Sequence, residues 1–163
     1  MTVHFAIPGK VVSVNGSYVP AKKSKNRGKR GGTNLILTKD AENFKELVHR
    51  IGAYARSQSQ WPRDLYAVAD VRLTIRMYNS KHDPAAGDKF IRDALEGVFY
   101  VNDRIVRMGP GDPPIKDAGP ARIGVDVELL ETHPPAIAAR RRREAEDRLA
   151  KRFARTPAKR MEI

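Results

Sequence analysis

The run at residues 68–77 constrains this chain more than any other. Val71, Leu73, Ile75 and Met77 alternate there with Asp70, Arg72, Thr74 and Arg76. Successive side chains of a strand point to opposite faces, so the alternation predicts a long strand with one face in a core and one toward water. Residues 123–130 repeat the pattern, with Val125, Val127 and Leu129 in phase, and residues 2–7 do so with Val3, Phe5 and Ile7. Residues 35–37 suit a short strand. Pro8-Gly9 and Asn15-Gly16 are turn pairs on either side of an extended run at 10–14.

Half-buried strands need an apolar layer against them, and two helical stripes supply it. Ala41, Phe44, Leu47, Val48, Ile51 and Ala55 recur at helical steps after Thr38, a good N-cap; Glu42 sits four residues on, so there is no capping box. Trp61-Pro62 closes that segment. Phe90, Ile91, Ala94, Leu95 and Val98 form the second stripe, followed by a short extended run at 98–101 and then a Gly/Pro/Asp-rich loop at 109–120. The order is strand, strand, helix, long strand, helix, strand. That predicts an α+β (mixed α/β) fold, and 163 residues suit a single domain with a sizeable core. The domain is expected over 1–131. Residues 132–163 form an Arg-rich extension, helical or disordered, whose large apolar residues are sparse: Ile137, Leu149 and Phe153.

Charge is distributed unevenly. Residues 1–39 carry +8 with no acid, residues 40–132 carry −2, and residues 133–163 carry +6. The first excess lies largely in 20–34, a polar, Gly-rich segment expected as a flexible basic loop, through Lys22, Lys23, Lys25, Arg27, Lys29 and Arg30. The second includes Arg140, Arg141, Arg142 and Arg143, where Glu144 with Arg148 and Asp147 with Lys151 are spaced as helical ion pairs. Basic flanks on a near-neutral body favour a polyanion, because each neutralised phosphate releases condensed counterions; solvated segments that aid solubility are the plain alternative. The chain has no cysteine, so disulfides and thiolate metal sites are excluded. No apolar run is long enough for a signal or a membrane span, and a cytoplasmic location is expected by default. Neither a P-loop nor a dinucleotide fingerprint occurs, so no nucleotide cofactor is expected. His4, His49, His82 and His133 form no ligand pair for zinc.

The stretch 82–108 holds the residues suited to chemistry. Asp83 follows the long strand, Asp103 follows the short extended run, and Lys89 lies between them. Carboxylates flanking a helix in this way suit a Mg²⁺ ion, which takes one or two of them along with water and phosphate oxygens. Such an ion polarises a phosphorus centre and lowers the pKa of its water, while a nearby lysine offsets charge on the phosphate. A structural reading stands beside this one: Asp83-Pro84 as N-cap and first helical residue, and Lys89 with Asp93 as an i,i+4 pair.

Taken together, Asp83, then Lys89, then Asp93-Ala94-Leu95, then Asn102-Asp103, resemble the RusA family of phage and prophage Holliday junction resolvases. Phe5-Ala6-Ile7-Pro8-Gly9 with Asn15 is similar to that family's first strand and turn, and the resemblance covers about residues 3–131. It implies a homodimer with a mixed sheet that nicks four-way DNA junctions symmetrically with Mg²⁺, Mn²⁺ being the other ion to consider, in a bacterial or phage-infected cell. It further implies that Asp83 and Asp103 are metal ligands and that Lys89 faces the scissile phosphate. The family's core reads Asp-x-Asp-Asn-x-x-Lys, whereas this chain has Ala85 and Ala86 at the second aspartate and the asparagine. Alanine ligates nothing, and two adjacent alanines in an otherwise matching motif read as an inactivating pair. Asp88 is the nearby substitute ligand, although on a helix it is turned by about 300° from position 85. Three functions follow as expectations: a junction-resolving endonuclease, a branched-DNA-binding protein of the same fold without cleavage, and a basic RNA-binding protein.

Overall fold

Three alternating strands lie side by side and share one apolar face. The computed structural model describes residues 1–10, 18–20, 35–80 and 87–155. In chain order its elements are β1 (Thr2–Pro8), β2 (Tyr18–Pro20), β3 (Leu35–Leu37), α1 (Lys39–Ser57), β4 (Val68–Tyr78), α2 (Asp88–Leu95), β5 (Val106–Met108), β6 (Arg122–Thr132) and α3 (Pro135–Arg155). The main sheet runs β1-β6-β4-β5; β6 is antiparallel to both β1 and β4, while β5 is parallel to β4. β2 and β3 pair antiparallel as a separate ribbon. The fold is thus α+β with a mixed sheet, as the sequence predicts.

Register explains the core. Val3, Val127 and Leu73 stand in one row across the sheet, and Ile7, Ile123 and Met77 in another; all six are 5% exposed or less. α1 lays Ala41, Phe44 and Val48 over this face, and α2 adds Phe90, Ile91 and Leu95. Thr38 caps α1 as expected, its Oγ1 accepting from the Ala41 amide at 3.3 Å. Trp61 closes the same layer: its ring meets Phe99 edge-on at 5.0 Å and its Nε1 donates to the Phe99 carbonyl at 3.0 Å. The other face of the sheet stays open and charged.

Residues 98–101 are not the expected extended run. α2 ends at Leu95, Gly97 takes φ +80°, and the amides of Val98 and Phe99 both donate to the Leu95 carbonyl at 3.0 Å. A tight turn therefore buries Val98, Phe99 and Tyr100, and the apolar run reflects that burial and not strand pairing. The strand comes later, as β5. The 109–120 segment is irregular as expected, yet it lines β4: Gly109 donates to the Leu73 carbonyl at 2.7 Å and Ile115 to that of Met77 at 2.8 Å. β6 continues to Thr132, and the His133 amide donates to the Ala67 carbonyl at 2.7 Å. Of the two states expected for the extension, residues 135–155 are helical, and Ala138 is 3% exposed.

Candidate nucleic-acid interface

The parallel pairing of β5 with β4 decides where Asp103 stands. Val106 pairs with Val71, so Asp103, three residues earlier, lies toward the N-terminal end of β4. The chain leaves β4 at the opposite end, after Tyr78. The two strand ends therefore do not meet: Asp103 and the residue that ends β4 stand at opposite ends of that strand. Asp83, Ala85, Ala86 and His82 lie outside the described residues, as does the cap expected of Asp83. α2 itself starts with Gly87 as N-cap and no side-chain cap.

Asn102 fixes the local geometry at Asp103. Its Oδ1 accepts from the Arg104 amide at 2.9 Å and caps the 3-10 turn Asp103–Ile105. Asp103 is partly exposed and pairs with Arg92 of α2 at 3.6 Å. Arg92 Nε is buried and has no hydrogen-bond partner among the described residues, so the Asp103 contact is one of charge alone. Below it the Tyr100 hydroxyl donates to the Arg92 carbonyl at 2.6 Å and holds this end of α2 in place. Burial pushes the Tyr100 phenol far above its ordinary range, so it stays a proton donor. Asp93 is bonded to Lys45 of α1 at 3.7 Å, which corrects the expected pairing with Lys89; α1 packs alongside, and its lysine reaches Asp93. Lost hydration, then the negative charges of Asp103 and Asp93, raise the Glu96 carboxyl above the usual range.

Lys89 is exposed in the first turn of α2, next to Asp88. Among the described residues no three carboxylate or imidazole groups gather as a metal site. Asp103 suits the part of one Mg²⁺ ligand, being solvent-accessible and free of hydrogen bonds that would consume both its oxygens.

The basic extension, in contrast, is built into this end of the molecule. α3 packs on the 3-10 turn Leu65–Ala67, whose cap residue Asp64 accepts from the Tyr66 amide at 3.1 Å and also pairs with Arg142. Arg140 bonds Glu144 at 3.7 Å, and Arg141 contacts the His133 ring. The expected Glu144–Arg148 pair is thus replaced: Glu144 pairs with Arg140, while Arg148 is exposed and lines the depression under α3. Arg143 is exposed. Two depressions flank the Arg142–Asp64 pair: one of about 830 Å³ beside Arg63 and Glu96, and one of about 340 Å³ beside Tyr66, Asn102 and Arg148. Arg92, Tyr66 and Arg148 belong to this region without any motif in the sequence to single them out. One signal does exist: Ala138 and Ala145 are seven apart and mark the docked side of α3, in phase with Arg141 and Arg148. Lys22, Lys23, Lys25, Arg27, Lys29 and Arg30 lie outside the described residues.

No helix among the described residues is long and apolar enough to cross a membrane. Comparison with models of known protein families finds no match, and comparison with curated proteins finds none either.

Proposed function

We propose that the chain is a RusA-like protein that engages branched DNA, four-way junctions foremost, and acts on them as a homodimer. One observation carries this reading: α3 is docked so that Arg141 and Arg148 line one depression with Asn102, the residue before Asp103 in the last element of the resolvase-like motif. Basic charge next to that motif fits a phosphate backbone. The expected activity is Mg²⁺-dependent endonucleolytic nicking, with Asp83 and Asp103 holding the ion, Asp88 as the substitute ligand, and Lys89 facing the phosphate. When bound, the ion would supply an activated water and charge stabilisation at phosphorus. Two opposed strands need two opposed sites, which is the reason for a two-fold dimer.

A second reading, binding without cleavage, is favoured by Ala85 and by the pairing of Asp103 with Arg92. One experiment separates the two. The protein and its Ala85→Asp/Ala86→Asn variant are incubated with a labelled four-way junction and Mg²⁺. Binding by both with cutting by the variant alone assigns the loss to the missing polar groups. Cutting by the unaltered chain makes those groups dispensable. Binding by neither removes the junction reading.

A further inference from the structure

The charge in the smaller depression is arranged differently from that on the open sheet face. On the sheet each basic side chain meets an acid: Arg72 bonds Glu128 at 3.0 Å, Arg107 bonds Asp70, and Arg76 bonds Asp126 and, at 3.5 Å, Asp112. That surface neutralises itself. In the depression under α3 the helix wall carries Arg141 and Arg148. Its one acid, Glu144, is taken up by Arg140, and among the described residues Arg141 contacts only an imidazole. Among the described residues Arg148 has no acid within ion-pair distance. Opposite lie Tyr66 and Ile105, with Leu149 closing the helix side and Asn102 at the edge. Because Asn102 Oδ1 is already engaged by the Arg104 amide, its side-chain NH₂ is left as a donor.

We infer that this cleft between α3 and the sheet end takes a single unpaired nucleotide of a nucleic-acid strand, an assignment that rests on the nucleic-acid reading above. About 340 Å³ is room for one nucleoside. An aromatic ring and an apolar wall suit a base face, two uncompensated arginines suit its flanking phosphates, and the Asn102 amide suits a base-edge acceptor. A base inside a duplex has both faces covered by its neighbours and cannot enter. Asp103 follows Asn102 directly, so the strand is held where the backbone leaves its paired state, beside the carboxylate of the motif.

The 163-residue protein is titrated with labelled duplex and with the same duplex carrying three unpaired nucleotides, the central one 2-aminopurine. The expected result is binding of the interrupted duplex about tenfold or more tighter than the intact one, with quenching of 2-aminopurine. Leu149→Trp fills the cleft from a residue that is 53% exposed and so leaves the fold unaffected, while Arg148→Gln removes one phosphate-binding cation. Both variants should bring the two affinities within about twofold and abolish the quenching, with duplex binding by Leu149→Trp unchanged. If the variants keep the preference, the nucleotide does not sit in this cleft. If the protein binds both DNAs equally, there is no unpaired-nucleotide site. Failure to bind any nucleic acid would instead overturn the functional reading and this inference with it.

Discussion

Gly52 shows how closely the two core helices approach. A Cβ there would stand 2.7 Å from Leu95 Cδ2 and 3.5 Å from Phe99, and both side chains are fully buried. Alanine in a helix interior gains about 1 kcal/mol over glycine, but overpacking a fixed core costs about 1–3 kcal/mol. Gly52→Ala should therefore destabilise the protein by up to about 2 kcal/mol, read as a lower urea midpoint at unchanged slope. A different restraint acts where the chain leaves β4. Asn79 takes φ +52°, a conformation asparagine tolerates, and its amide donates to Asp117 Oδ1 at 2.7 Å and to the Gly119 carbonyl at 2.6 Å. The Arg122 guanidinium, then the Gly119 amide, hold Asp117 down to about 2. The folded value lies below the unfolded one, so this stabilisation is complete above about pH 4 and is lost as pH falls toward 2. Asp117→Asn should flatten the stability profile across that window: the variant is less stable than the unaltered protein above about pH 4 and the two converge as pH falls toward 2, as chemical denaturation at stepped pH would show.

Among the elements, α3 is the one whose role is least evident from sequence. β4 and β6 are legible from alternation alone, because an antiparallel pair with one covered face writes its register into a period of two. α1 is legible from its stripe and from Thr38. Residues 98–101 mislead because a buried turn and a buried strand need the same apolar residues; only Gly97, with its positive φ, distinguishes them. The position of Asp103 is hidden for another reason: it depends on β5 pairing parallel to β4, a long-range choice that three residues cannot announce. In α3 the arginine run suggests a solvated arm, and only the Ala138/Ala145 spacing points to docking. Ala138 is buried on the 3-10 turn Leu65–Ala67 and not in the main core. Truncation after Pro134 should therefore leave the thermal transition cooperative. The same truncation should weaken DNA binding, and the slope of log K against log salt should fall by about one for each phosphate that α3 neutralises. An unchanged slope would mean that α3 does not touch the backbone.

Across the whole molecule, the charge asymmetry and the sheet polarity point to the same end. The open sheet face balances its charges internally, while α3 brings Arg141 and Arg148 to a depression shared with Asn102 and Ile105, just before β5. On the proposed function, this end of the molecule reads branched DNA. The decisive measurement is a competition titration at fixed salt, with a labelled four-way junction displaced in turn by unlabelled junction, duplex of equal length and structured RNA. Junction should displace the label at least about tenfold more effectively than either competitor, a threshold well below the roughly thousandfold or greater gap between specific and non-specific binding. Equal displacement by RNA, or no junction binding at all, would refute a branched-DNA function.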